Sequence, residues 1–222
     1  MKSFCHYFVG TRYARAYLTT KIGIVCEITI LFTDFLLLKN KVFTAMTDKR
    51  TLRRAIRAEI AKLTTDEKMA LSAQIFSKLD SCDKIHNASV VAIFISLEDE
   101  PQTATFIEQL SGKNKRVVVP RIEGEEMNFY DISDGVKTGS FGIMEPISEH
   151  PIEPSEIDVM IVPGVVFTPD GMRCGRGKGF YDRYLSREGF RAYTIGVCYP
   201  CQIVESIPRE EHDKKLDCTL SI

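Results

Sequence analysis

Four short apolar, β-branched runs constrain this chain more than any other feature: Val90–Ile95, Val117–Val119, Val159–Val162 and Tyr193–Cys198. They are continuous rather than alternating, which is the pattern of strands buried on both faces. Helical patterns separate them. The segment from about Thr103 to Leu110 lies between the first two runs, and Gly179 to Arg187 between the last two. Strand–helix–strand alternation predicts an α/β fold: one three-layer, Rossmann-like domain with a mainly parallel sheet and helices on both faces. Two further helices precede the first strand. Leu52, Ile56, Ile60 and Leu63 recur at helical spacing over 48–62, and Thr64 with Glu67 forms a capping-box pair that starts a helix running to about Leu79.

In such a sheet, ligands gather at the carboxyl ends of the strands. The segments just beyond the runs therefore sample the site: Ser96-Leu97-Glu98-Asp99-Glu100, Pro120-Arg121, and Pro163-Gly164 with a Pro169-Asp170-Gly171 turn after it. That turn leads into Arg173-Cys174-Gly175-Arg176-Gly177-Lys178-Gly179-Phe180-Tyr181-Asp182. Alternating glycines permit positive φ and close approach of a ligand. Two cations between them, at the start of a helix, make an anion site suited to phosphate. Two cations so placed would repel each other without an anion. The loop is not a P-loop, because Met172 and Gly179 stand where Walker spacing needs Gly and Ser/Thr. It also misses the dinucleotide fingerprint, its last glycine falling one position early.

A second basic element is the first helix, where Lys49, Arg53 and Arg57 form a row at i, i+4, i+8. Lys49 and Arg50 lie in its first turn, where the helix dipole disfavours cations by roughly 0.3–1 kcal/mol each. A bound polyanion would reverse that penalty. Asp182 directly behind the glycine loop, and Asp213 in Glu210-Glu211-His212-Asp213, are candidate Mg²⁺ ligands, since Mg²⁺ needs only one or two carboxylates beside phosphate oxygens. Among Glu98, Asp99 and Glu100, at least one can accept hydrogen bonds from an amino-bearing ligand.

Seven cysteines in 222 residues are too few and too scattered for a disulfide scaffold, and the single CxxC, Cys198-Tyr199-Pro200-Cys201, has no second pair with which to bind zinc. It comes after a strand, whereas redox CxxC motifs sit at a helix N-terminus that lowers the thiol pKa. Free thiols point to a reducing, cytoplasmic setting. The four histidines show no paired spacing. A formal charge of −1 supplies no global basic field, so nucleic acid is not an expected partner.

The charge is unevenly distributed. Residues 1–45 carry six bases against two acids, which leaves 46–222 at −5. The most apolar stretch, Ile22 to Leu38, also lies in this first segment. It contains Glu27 and Asp34 and is short of the roughly 20 mostly apolar residues of a membrane span. It starts too late for a signal peptide. Residues 1–45 are therefore expected to be an extension, disordered or upstream of a true start at Met46, ahead of a catalytic domain over 46–222. No membrane association is expected.

Lys49-x3-Arg53 on the first helix, Phe94-Ile95-Ser96-Leu97-Glu98-Asp99-Glu100, Pro163-Gly164 with Phe167, and the loop Gly171 to Asp182 together resemble the 5-formyltetrahydrofolate cyclo-ligase family, also called 5,10-methenyltetrahydrofolate synthetases. The resemblance runs from about Lys49 to the C-terminus, and nothing in residues 1–45 takes part. It implies an ATP-dependent ligase forming a C–N bond: conversion of 5-formyltetrahydrofolate to 5,10-methenyltetrahydrofolate with release of ADP and phosphate. It implies ATP contacts from Lys49, Arg50, Thr51, Leu52 and Arg53, and from Arg173, Cys174, Gly175, Arg176, Gly177, Lys178, Gly179, Phe180 and Tyr181. Folate contacts are implied for Ile95, Glu100 and Arg176 to Phe180, and Mg²⁺ ligation for Asp182 and Asp213. Arg176 and Lys178 are the candidate catalytic cations, and Arg121 a candidate partner for the folate's glutamate. Two departures from the family pattern stand in the loop: Cys174 where Leu is usual, and Phe180, which lacks a hydroxyl, where Tyr is frequent. ATP and a reduced folate are then the partners of a monomer. The other reading of the same motifs is a folate- or nucleotide-binding protein that does not turn over.

Overall fold

The structure is a computed structural model, and it describes residues 48–139 and 144–222. The extension expected over residues 1–45 lies outside the described residues. Asp48 begins the fold by capping α1 (Lys49–Ile60), its carboxylate accepting from Thr51 N at 2.8 Å. Leu52, Ile56 and Ile60 form the buried stripe that the spacing predicts. α2 (Thr65–Asp80) opens on the reciprocal capping box of Thr64 and Glu67. A short α3 (Asp83–Asn87) then leads into β1 (Val90–Ile93).

From there the chain runs through α4 (Ala104–Gly112), β2 (Arg116–Glu123), β3 (Glu126–Asp131), β4 (Val136–Thr138) and β5 (Met144–Pro146). β6 (Val159–Val162) and a small antiparallel pair, β7 (Val166–Phe167) with β8 (Arg173–Cys174), come next. The last elements are α5 (Phe180–Tyr184), β9 (Tyr193–Val197) and β10 (Cys218–Leu220). The main sheet has the order β10-β9-β6-β1-β2-β3. All of its pairings are parallel except β2 with β3.

Alternate residues of the central strands feed two cores. Val91, Ile93, Val117, Val119, Val159, Ile161, Ile195 and Val197 point to one side, onto α1, α2, α3 and α4 through Leu52, Ile56, Ile75, Phe76, Ile85 and Phe106. Ala92, Val118, Met160 and Val162 point to the other, onto Met127, Phe129, Ile157, Tyr184 and Leu216. Both faces are therefore apolar, which is why these runs do not alternate in sequence. The three layers hold, with helices on both faces in unequal measure. Among the described residues, four helices cover one face, and α5 with irregular chain covers the other.

Several boundaries differ from the sequence expectation. β1 stops at Ile93 and β9 at Val197, and α5 is five residues rather than nine. β2 runs on through Pro120 to Glu123 and turns at Gly124 (φ 64°) into the antiparallel β3. Proline is tolerated there because pairing with β1 ends at Val118, so no neighbour on that side asks for the missing N–H. The order places β2 on one side of β1, and β6 and β9 on the other. The chain's direction of growth thus reverses at β1/β6, the switch point at which such sheets open a crevice.

Candidate active site

A cleft of about 1040 Å³ opens at that switch point. Its floor is the chain that leaves the strands: Phe94, Ile95, Leu97 and Glu100 after β1, Pro120 and Arg121 within β2, and Pro163 and Gly164 after β6. The whole glycine loop, Arg173 to Asp182, forms one wall. Lys49 and Arg53 project from α1, and Glu210, His212 and Asp213 come from the chain before β10. An apolar wall is built by Ile122, Met127, Met144 and Phe180. Of the residues expected to bind ligand, only Arg50, Thr51 and Leu52 do not line it. Arg50 is exposed, Thr51 serves the helix cap, and Leu52 is fully buried in the core.

Glycine is required at Gly177 (φ 101°) and Gly179 (φ 70°), which let the loop turn beneath the ligand space. Arg53 ties α1 to this loop, its Nε donating to the Gly175 carbonyl at 2.7 Å. α5 is too short for a substantial dipole, so the anion-attracting character comes mainly from side-chain cations.

All but one of these cations are already engaged. Arg176 donates to Glu100 Oε1 from Nε (3.1 Å) and Nη2 (2.9 Å), and Nη2 also meets Asp99. The repulsion expected between Arg176 and Lys178 is therefore relieved from within the protein, by acids on the loop after β1. Lys49 Nζ lies 2.6 Å from Asp213 Oδ2 and 2.8 Å from Glu210 Oε2, which likewise offsets the penalty of a cation in the first helical turn. Arg173, only 4% exposed, donates to Asp182 Oδ1 at 3.0 Å. Lys178 Nζ has no hydrogen bond or ion pair among the described residues.

Electrostatics reflect this pairing. Burial pushes the Glu100 carboxyl up, against the Leu97 N–H and the Arg176 guanidinium that favour its charged form. Burial alone would lower Lys49, but Asp213 and Glu210 outweigh it and raise its amine above the usual lysine value. Burial likewise works to raise Asp213, yet Lys49 and the Glu210 N–H hold it below the usual carboxylate range. Tyr181 has its hydroxyl buried without a hydrogen-bond partner among the described residues, and desolvation drives its pKa up. Its ring sits beneath the Arg173 guanidinium at 5.4 Å.

The two expected metal ligands stand in different surroundings. Asp182 Oδ1 accepts from Arg173 and from Lys214 N (3.2 Å). Asp213 belongs with Glu210 and His212 to a group whose ligating atoms lie within 4.8 Å of one another. Carboxylate oxygens dominate this set, as a hard divalent cation requires. Lys49 and a cation are alternatives at the Asp213 carboxylate.

Arg121 lines the cleft, but its guanidinium is engaged by Glu123, by the carbonyls of Pro146 and Ser148, and by the Tyr130 ring at 3.8 Å. The apolar wall of Ile122, Met127 and Met144, from β2, β3 and β5, was not anticipated from sequence, although Pro120 and Arg121 were. The signal that could have found it is the Glu123-Gly124-Glu125 turn between two strand-like segments. In the CxxC motif, Cys198 is fully buried and its thiol pKa is driven up by burial, the reverse of a redox-active thiolate. No helix among the described residues is long and apolar enough to cross a membrane.

Comparison with known proteins gives this site a family. The model of the 5-formyltetrahydrofolate cyclo-ligase family matches residues 45–221. The 5-formyltetrahydrofolate cyclo-ligase of Mus musculus is 28% identical over 189 residues, covering 78% of this chain and 93% of the mouse protein. That of Escherichia coli (strain K12) is 31% identical over 175 residues, covering 75% and 96%. The NMR structure of Aquifex aeolicus 5,10-methenyltetrahydrofolate synthetase matches with a TM-score of 0.70 at 31% identity, over 78% of this chain and 88% of that one. The Mycoplasma pneumoniae 5,10-methenyltetrahydrofolate synthetase matches with a TM-score of 0.65 at 28% identity, over 78% and 98%. A family match over four-fifths of the chain, a shared fold, and a glycine loop set in the cleft lead to one conclusion: the chain belongs to the 5-formyltetrahydrofolate cyclo-ligase family, an enzyme of the cyclo-ligase class.

Proposed function

We propose that this enzyme converts 5-formyltetrahydrofolate to 5,10-methenyltetrahydrofolate with cleavage of ATP to ADP and phosphate, in a reaction that requires Mg²⁺. The observation that carries this reading is one cleft holding Lys49, Arg53, Arg176 and Lys178 together with the buried acid Glu100 and an apolar wall. Its volume of about 1040 Å³ is at the upper end for ligand pockets, which run to roughly 1,000 Å³, and suits two substrates better than one.

The chemical difficulty is a formamide oxygen that leaves poorly and an N10 amine that attacks weakly. Transfer of the γ-phosphoryl group of ATP to the formyl oxygen converts that oxygen into a phosphate leaving group. N10 then attacks the formyl carbon and gives up its proton, the carbon–oxygen bond breaks, and phosphate departs. No protein nucleophile is needed, so the protein's task is alignment and charge stabilisation. Lys178, whose amine has no partner among the described residues, and Arg176 face the transferring phosphate. Lys49 and Arg53, with the backbone of Arg173 to Tyr181, hold the rest of the triphosphate. Asp182 and Asp213 would hold Mg²⁺, which when bound neutralises charge on the phosphate oxygens. Glu100 takes the amino-bearing edge of the pterin, beside Ile95, and Phe180 offers a stacking face.

The test is formation of the conjugated methenyl product, monitored by its near-ultraviolet absorbance, with ATP and Mg²⁺ each omitted in turn. Product forms only when both are present, and phosphate release requires the folate. Equal rates without ATP would sink the ligase reading. Binding of both ligands without product would instead identify a non-catalytic binding protein.

A further inference from the structure

Tyr199 lies in the CxxC segment and has no role assigned above, yet it is fully buried and its hydroxyl meets the Glu100 backbone in the cleft floor. We propose that Tyr199 is a positioning residue for the folate side of the site, acting through the backbone carbonyl of Glu100. This inference rests on the folate reading of Glu100.

Tyr199 Oη donates to the Glu100 carbonyl at 2.8 Å. A hydroxyl has one proton, and this bond uses it. The neighbouring Ser72 Oγ, 3.4 Å away, directs its own proton to the Lys68 carbonyl at 2.6 Å and adds little to the phenol. Glu100 is thereby fixed from both ends. Its carbonyl receives Tyr199 and Gln102 Nε2 (2.8 Å), its Oε2 receives Leu97 N (3.0 Å), and its Oε1 faces Arg176. Removing the phenolic proton frees the Leu97–Glu100 turn to shift, and the carboxylate shifts with it.

The phenol is itself held in place. Tyr199 N donates to Gln202 Oε1 at 2.8 Å, and Gln202 Nε2 donates to the carbonyls of Gly164 (2.9 Å) and Val165 (3.1 Å). Gln202 has no exposed surface. The turn after β9 thus joins the loop after β6 to the loop after β1, on opposite sides of the switch point. Within Cys198-Tyr199-Pro200-Cys201, the aromatic residue rather than the thiols carries the link to the site.

The experiment compares the full chain with Tyr199→Phe, Glu100→Gln and the double variant, with Ile75→Val in the α2 core as a stability control. Tyr199→Phe keeps the ring, so the fold survives. Loss of one neutral hydrogen bond predicts a folate KM about five-fold higher, with kcat and the ATP KM within about two-fold of the parent. In the Glu100→Gln background, Tyr199→Phe adds nothing further, because both changes act through one carboxylate. The proposal is overturned if Tyr199→Phe leaves the folate KM unchanged, if the two effects multiply in full, or if Ile75→Val reproduces the same split. Direct titration of 5-formyltetrahydrofolate gives the same comparison as dissociation constants. Failure of turnover in the parent would therefore defeat the proposed reaction without hiding the result for Tyr199.

Discussion

Lys49 and Asp213 form an ion pair that joins the first turn of α1 to the chain just before β10, with Nζ 2.7 Å from Oδ1 and 2.6 Å from Oδ2. Glu210 closes on the same amine at 2.8 Å. The contact spans almost the whole length of the domain, and both partners are largely buried, with side-chain exposures of 11% and 8%. It fixes the cation in the cleft and balances it until an anionic ligand offers an alternative. Asp99 and Glu100 do the same for Arg176.

The pair makes stability depend on pH. The Asp213 carboxyl is held below its usual range, so its contribution is complete above the unfolded aspartate value near 4 and is lost as pH falls through the depressed folded value. The Lys49 amine is raised, so its contribution is complete below about 10 and is lost as pH climbs through the higher folded value. Lys49→Met strands Asp213 and should cost about 1–3 kcal/mol, between the values for exposed and buried pairs. In thermal melts from pH 3 to 9, the deficit of the variant should be constant from about pH 5 upward and shrink below pH 4. A deficit that grows on acidification would contradict the assignment.

Lys178 and Glu100 divide the labour differently. A charge on a transferring phosphoryl group acts mainly in the transition state, so Lys178→Ala should lower kcat by about 100-fold or more with a small change in the folate KM. Glu100→Gln should raise the folate KM first, because it weakens a contact made equally in ground and transition states. Steady-state kinetics on both variants decide this. If both lost only ATP affinity, the division would be wrong.

How far the fold could be read in advance depended on burial. β1 and β6 were legible because burial on both faces makes their runs uniformly apolar. β3 and β10 are edge strands of the main sheet, and their mixed sequences, EMNFYD and CTL, carry no such signal. Pro120 disguised the outer half of β2. In the site, the glycine loop announced itself because its chemistry is local to ten residues. Its counter-charges did not. Asp99 reaches Arg176 across 77 positions and Glu210 reaches Lys49 across 161, and only the topology of the sheet brings such pairs together. The hydrogen bonds of Tyr199 and Gln202 were hidden for the same reason, Tyr199 inside a motif whose cysteines suggested different chemistry and Gln202 just beyond it.

Residues 1–45 carry a net charge of +4 and the apolar stretch Ile22–Leu38, and no motif of the cleft falls among them. The family match starts at residue 45. The cap of α1 is supplied by Asp48, and the cleft is lined, among the described residues, by side chains from Lys49 onward. We propose that the catalytic domain is self-sufficient from Met46, leaving 177 residues. Exposed apolar surface is a liability for association, so a chain without this apolar stretch should be the more soluble of the two. Its melting temperature should match that of the full chain within about 3 °C, the shift produced by roughly 1 kcal/mol in a domain of this size. Its kcat/KM should agree within about two-fold, the scatter expected of changes remote from any packed or functional group. Calorimetry and the methenyl absorbance assay on the two proteins side by side provide the measurement. A large drop in melting temperature, or loss of ATP binding on shortening, would make residues 1–45 part of the domain and move its boundary to the N-terminus.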